Sequence, residues 1–139
     1  MMFILQLLFA YLIGSLSSSI IISQLCHKQD PRNQGSHNAG ATNMMRLHGQ
    51  WFGLLTLLGD CSKTIFCLFI SQLMGYKGPE IMWIGVAILL GHCFPLYFKF
   101  KGGKGISVGI VIIALQFPKV GLICVGLWLG CMAWKRIVS

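Results

Sequence analysis

Long uncharged apolar stretches alternate with short polar ones along this chain, and the spacing predicts helices that cross a lipid bilayer. Residues 2–26, MFILQLLFAYLIGSLSSSIIISQLC, contain no charge and are long enough to span a hydrocarbon core about 30 Å thick. The first cation is Lys28, so the basic leader that opens a cleaved signal peptide is missing and the segment reads as a retained span. Gly14, Ser15 and Ser17 to Ser19 make one part of it small and polar, which favours close helix packing. A second apolar run covers roughly 51–74 and a third 81–98, with Pro95 placed to kink the third. A short run at 106–115 and a last one at 120–134 follow. The pattern predicts an all-α polytopic membrane protein, one domain over residues 1–139, with about five transmembrane helices.

Composition agrees: 55% of residues are hydrophobic, 10% are charged and the mean hydropathy is +0.75, outside the range of soluble domains. The net charge of +8 would suggest nucleic acid in a soluble chain; here it sets topology, and no nucleic-acid partner is expected. Lys28, Arg32, Arg46, Lys99, Lys101, Lys104, Lys135 and Arg136 fall in the odd-numbered connectors and the tail, whereas the other side carries only Lys77 and Lys119. That bias puts the N-terminus outside and the C-terminus in the cytoplasm. All six cysteines lie in or at the edges of apolar runs without a CxxC, so they read as small buried hydrophobes. The four histidines show no paired ligand spacing, and no metal site is expected.

Three polar features interrupt the apolar pattern. Residues 35–46, GSHNAGATNMMR, hold two Gly, two Asn, a Ser, a Thr, a His and an Arg between apolar runs. Glycines let the backbone approach an anion; Ser36, Asn38, Thr42 and Asn43 add short donors, and Arg46 adds a planar cationic fork. Such a loop cradles an anion, although the same residues also make an ordinary polar turn. Residues 99–105, KFKGGKG, form a cationic glycine hinge at the mouth of a helix, suited to phosphate or merely fixing topology. It is not a Walker A loop, because Gly105 follows Lys104 and Phe98 stands where the first glycine belongs. Asp60 and Lys63, inside the second run, share a helix face. At about 2.5–3.5 kcal/mol per charge in a bilayer centre, the pair faces the interior, as a self-neutralising structural element or as one that orients the site. His92, before the basic end of the third run, reads by itself as a packing residue. The charge count brings both loops and His92 to the cytoplasmic face.

GSHNAGATNMMR, the downstream DCSK and GHCFPLYFKFKGGKG resemble the signatures of the bacterial acyl-phosphate-dependent glycerol-3-phosphate acyltransferases, the PlsY family. YLIGSLSSSIII and DPR are also similar to its first span and the approach to its first loop, so the resemblance runs from Tyr11 to Ser139. It implies a seven-span helical fold in the bacterial inner membrane, with the active site near the cytoplasmic face. It further implies transfer of a fatty acyl group from acyl phosphate to glycerol 3-phosphate, giving lysophosphatidate and phosphate in phospholipid synthesis. No metal or cofactor is implied; a partner enzyme that makes the acyl phosphate is. Carried over by position, Ser36, Asn38, Thr42 and Arg46 bind the substrate phosphate, and Gly102, Gly103, Lys104 and Gly105 bind phosphate as well. His92 and Ser36 sit beside the reacting groups.

The sequence departs from that pattern where His37 and Thr64 stand for Gly and Ala39 stands for Pro. KRIVS resembles the start of a further family motif, after which two more helices carrying an active-site asparagine are expected. A non-catalytic remnant that binds phosphorylated ligands or a partner membrane enzyme is the alternative function. A small anion channel lacks a gate-like pattern.

Overall fold

The computed structural model describes the backbone of residues 1–135 and the side chains of residues 1–127. Seven α-helices follow in order among these residues: α1 (Met2–Gly14), α2 (Ser18–Leu25), α3 (Ala41–His48), α4 (Gln50–Leu73), α5 (Pro79–Cys93), α6 (Ile106–Gln116) and α7 (Pro118–Lys135). A 3-10 turn, Leu96–Phe98, separates α5 from α6. The residues of KRIVS after Lys135 lie outside the described residues.

The first apolar run is not one straight helix. It breaks at Ser15 to Ser17, and α1 and α2 meet at 45°. Absence of charge dictates length in the bilayer but not straightness; the small polar residues at the break supply the bend. Ser15 Oγ returns to the Tyr11 carbonyl at 2.8 Å, which competes with the helical ladder and favours a bend at such a serine. The third run also differs from the expectation: α5 stops at Cys93, and Pro95 opens the 3-10 turn rather than kinking a continuing helix. The residue before a proline avoids helical backbone, and Phe94 has left it, at φ −125° and ψ 66°.

By length and composition α4 and the segment Pro79–Phe98 are each able to cross a membrane, and the α1–α2 pair, bent at its break, passes the same test only when taken as one segment. Ile106–Gln116 and Pro118–Leu127 are shorter apolar helices. Large apolar side chains face outward, and polar side chains are buried beside the apolar core. Leu8, Phe66, Phe69 and Trp83 are exposed, whereas Gln6, Thr56, Asp60, Thr64, Ser71 and His92 are buried. This inverts the soluble pattern and fits a bundle surrounded by lipid. Of the cysteines, Cys67 is buried as expected, but Cys26 is exposed at the end of α2, where the chain leaves the bundle; the side chain of Cys131 lies outside the described residues.

Close approach of α1 to α5 sets the centre of the bundle. A Cβ added at Gly14 would run into the Ile88 carbonyl, and one at Gly91 into the Tyr11 carbonyl; backbones this near pack only through small residues. Tyr11 Oη donates to the Phe94 carbonyl at 2.8 Å, and Gln6 Nε2 to Ser71 Oγ on α4 at 2.6 Å. Ala10, Cys67, Leu68, Ile81, Ile84, Ile88, Val108 and Ile112 fill the core between α1, α4, α5 and α6. Gly121 packs on Ala114 at the α6–α7 turn, while Gly109, Gly126 and Gly130 adjoin open space among the described residues.

Gly91→Ala therefore overpacks the α1–α5 contact and should destabilise the bundle by about 1–3 kcal/mol. Gly109→Ala, whose Cβ meets nothing within 4 Å, should be at least as stable as the wild type, since alanine favours a helix interior over glycine. Thermal unfolding in detergent, followed by aggregation or thiol exposure, checks the contrast.

Candidate active site

The first loop is organised by one side chain. Asn43, fully buried, donates from Nδ2 to the carbonyls of Pro31 at 2.7 Å, Gln34 at 3.0 Å and Asn38 at 3.1 Å. Its Oδ1 accepts the Ser36 N–H at 3.0 Å. The amide is committed to shaping the loop, which corrects the expectation that it is a donor for an anion. Removing it would orphan several main-chain groups, each at about 1–3 kcal/mol. Gly35, at φ +63°, passes directly over Asn43 Oδ1 and leaves no room for a Cβ.

A second fastening joins this loop to the turn after α5. Arg32 Nε lies 3.0 and 3.1 Å from the two Asp30 carboxylate oxygens, and its Nη2 is 2.6 Å from Oδ2. Its remaining arm, Nη1, donates to the Phe98 carbonyl at 2.8 Å. Hydrogen bonds from Arg32 hold the Asp30 carboxyl below its ordinary value, and Asp30 raises Arg32 in turn. With the folded value depressed, the clamp contributes fully above the usual carboxylate range and is lost only as the pH falls through the lowered value. Lying at the surface, the pair is a positional link more than a source of stability.

The glycine hinge folds back on the end of α5. Gly102 N–H donates to the Cys93 carbonyl at 3.2 Å, and Gly103 N–H to the His92 carbonyl at 3.1 Å. Neither tolerates a side chain: at Gly102 a Cβ would strike the His92 carbonyl, and at Gly103 it would strike His92 Nε2 and the Ala39 carbonyl. Gly105 caps α6 in the left-handed region, at φ 78°. The hinge therefore joins α5 to the first loop.

Between them lies a cavity of about 420 Å³, within the size range of small-molecule sites. Asn38, Gly40, Ala41, Thr42, Lys104, Ile106 and Ser107 form its polar end. These include the first turns of both α3 and α6, neither of which is capped by a side chain or carries an acidic residue there. Two helix N-termini without a side-chain cap, beside a lysine, have the polarity that suits an anion. The other end is apolar, lined by Leu54 and Leu57 of α4, Ile110 and Val111 of α6 and Val125 of α7.

Of the residues expected from sequence, Asn38, Thr42 and Lys104 come together on this cavity. Gly103 separates His92 Nε2 from the Ala39 carbonyl, next to Asn38. Arg46 lies one turn beyond Thr42 on α3 and is exposed. Ser36 sits in the loop with its Oγ buried and no hydrogen-bond partner among the described residues; neither residue lines the cavity.

The structure adds a group that sequence left undecided. Asp60 and Lys63 are both interior, 3.1 Å apart, and His92 Nδ1 is 3.2 Å from Lys63 Nζ. Their meeting joins α4 to α5 across 29 positions, a separation no local pattern reveals. Among the described residues no group of three His, Cys, Asp or Glu side chains is arranged to hold a metal.

Comparison with known proteins accounts for this arrangement. The family model described as glycerol-3-phosphate acyltransferase matches residues 4–139. A glycerol-3-phosphate acyltransferase of Pseudomonas putida is 47% identical over 129 residues, 92% of this chain and 68% of that one. One from Pseudomonas syringae pv. tomato is 44% identical over 138 residues, 99% of this chain and 72% of the other. Two crystal structures of PlsY (YgiH), an integral membrane glycerol 3-phosphate acyltransferase, share the fold. The glycerol 3-phosphate form superposes with a TM-score of 0.89 at 35% identity, over 99% of this chain and 69% of that chain. The lysophosphatidic acid form gives 0.84 at 33%, over 97% of this chain and 67% of that chain. This chain thus spans about two thirds of the length of the proteins it matches, and it belongs to the glycerol-3-phosphate acyltransferase family.

Proposed function

We propose that the chain transfers a fatty acyl group from acyl phosphate to glycerol 3-phosphate in the bacterial inner membrane, with the cavity between α3, α4 and α6 as the seat of the reaction. The observation that supports this reading is the cavity's lining, which combines Asn38, Thr42 and Lys104 with the apolar side chains of Leu54, Leu57, Ile110 and Val111. Acyl phosphate combines the same two characters: a phosphate head and a hydrocarbon tail. Ser36, Asn38, Thr42 and Arg46 serve the phosphate of glycerol 3-phosphate, and Lys104 with the N–H groups around Gly102, Gly103 and Gly105 serves the acyl phosphate. His92 stands beside the reacting groups.

The alcohol oxygen attacks the acyl carbon, a new ester C–O bond forms, and the acyl C–O bond to phosphate breaks. Phosphate departs with that electron pair, and the hydroxyl proton passes to a base. The donor is already activated, so no covalent nucleophile is needed; positioning and charge stabilisation remain. Cations and helix N-termini supply both without a metal. An acyl-phosphate-synthesising enzyme is the partner this chemistry calls for. The non-catalytic reading is the less favoured one, because the family model and the relatives that match are acyltransferases.

Arg46→Ala should weaken use of glycerol 3-phosphate by about 1.5–3 kcal/mol, the range for a hydrogen bond to a charged group. Arg46→Lys should restore only part, since a point charge does not reproduce a planar fork. The assay follows lysophosphatidate formation in reconstituted membranes; equal rates for wild type and Arg46→Ala would remove Arg46 from the site. Topology is tested separately, with five crossings, an outside N-terminus and a cytoplasmic C-terminus proposed. Reporter fusions at Gly78 and Gly103 should fall on opposite sides of the membrane, and fusions on one side would refute the five-span arrangement.

A further inference from the structure

The turn after α5 holds successive residues in a backbone conformation that side chains avoid. Lys99 and Phe100 both have φ 58°, in the left-handed region, which is costly for residues with a Cβ and persists only where the surroundings impose it. Fastenings on several sides impose it here. The Pro95 carbonyl accepts the N–H of Phe98 at 3.1 Å and that of Phe100 at 3.0 Å. On the far side Gly102 and Gly103 are tied to the Cys93 and His92 carbonyls. Arg32, 66 positions away, donates from Nη1 to the Phe98 carbonyl at 2.8 Å. That carbonyl shares a planar peptide unit with the Lys99 N–H, so fixing its direction restricts the φ rotation of Lys99. The guanidinium also stands 6.0 Å from the centroid of the Phe98 ring, at the outer reach of a cation–π contact. Asp30 aims the fork by taking Nε and Nη2, and its Oδ1 accepts the Arg32 main-chain N–H at 2.9 Å as well. Nη1 is the arm left for the turn.

We propose that Arg32, aimed by Asp30, is a positioning residue for acyl transfer: by holding the Phe98 carbonyl it keeps the Lys99–Phe100 turn left-handed and thereby sets Lys104 at the cavity. Arg32 does not line the cavity, whereas Lys104 does, so its action passes through the hinge and not through substrate. The path between them is short and constrained. Neither Gly102 nor Gly103 has room for a Cβ, and Lys104 follows directly from their contacts with α5. Once the Phe98 carbonyl is released, Lys99 and Phe100 relax toward ordinary backbone, the two glycine N–H groups leave α5, and Lys104 leaves the anion-suited end. Lysine is no substitute for Arg32, because a single ammonium cannot engage both carboxylate oxygens of Asp30 and the Phe98 carbonyl in the planar geometry of the fork. The effect on catalysis rests on the acyl-transfer reading above; the hold on the turn does not.

The test is amide hydrogen exchange, read by mass spectrometry on the full chain in detergent micelles without substrate. The wild type should protect the Gly102 and Gly103 amides. Arg32→Met and Arg32→Lys should each speed exchange over residues 99–105 by about tenfold, as a local opening does, with α1 and α5 unchanged. Adding Lys99→Gly to Arg32→Met should restore much of the protection, since glycine takes the left-handed region without a Cβ penalty. In the lysophosphatidate assay, per folded protein, Arg32→Met should lower kcat/KM by about tenfold or more, the effect of one lost hydrogen bond to a charged group. Arg32→Met/Lys104→Met should lose no more than Lys104→Met alone, because residues that act through one another are not additive. Unprotected Gly102 and Gly103 amides in the wild type would overturn the proposal without any variant needing to fold. So would unchanged exchange in the Arg32 variants, failure of Lys99→Gly to restore protection, or losses that simply add in the double variant. The expected exchange pattern in a protein without acyltransferase activity would instead sink the acyl-transfer reading and leave the hold on the turn standing.

Discussion

A lysine ammonium inside a membrane bundle must be satisfied by whatever surrounds it, and the centre of this protein is built to do so. Desolvating a charge costs several kcal/mol even after relaxation, and Lys63 recovers that through carbonyls exposed where α1 gives way to α2. A continuous helix would have kept those carbonyls in its own ladder. The 45° break, the buried carboxylate of Asp60 and the orientation of His92 are therefore one feature. Deleting either partner of the pair leaves the other as a buried lone charge, the costly case for buried ion pairs.

From this centre the arrangement extends outward through main-chain contacts. His92 and Cys93 receive the N–H groups of Gly103 and Gly102, which fixes the hinge on the end of α5. The hinge in turn meets the first loop, whose shape Asn43 imposes from within. Arg32 ties the same loop to the Phe98 carbonyl. Each fastening is a local hydrogen bond, yet together they bring the first turns of α3 and α6 to one cavity. Such a site is set before any ligand arrives, the condition under which fixed dipoles stabilise developing charge most effectively.

Much of this was legible in the sequence, for reasons that also mark its limits. Apolar run length identified α4 and α6 within a residue or two, because lipid favours apolar, internally hydrogen-bonded helices. The glycines and short donors of residues 35–46 and 99–105 announced the loops that meet at the cavity. The break after Gly14 was not legible, since an uncharged serine cluster is compatible with straight or bent helix. Pro95 was legible as a disturbance but not as an end. Asn43 and Asn38 have the same donors, and only the fold decides that one shapes the loop while the other lines the cavity. The Asp60–Lys63 pair was visible from its spacing. Its contact with His92 was not, because helix–helix contacts across a bundle leave no periodic trace.

The proposed function requires the two loops and the apolar cleft between α4 and α6 to form a single site for an acyl phosphate. An acyl phosphate analogue with a diazirine near the end of its chain, irradiated with the protein in vesicles and mapped by mass spectrometry, tests this most directly. Labelling is expected at Leu54, Leu57, Ile110 and Val111, suppressed by unlabelled acyl phosphate. Labelling confined to the outer faces at Leu8, Phe66 and Trp83, and indifferent to competitor, would contradict it.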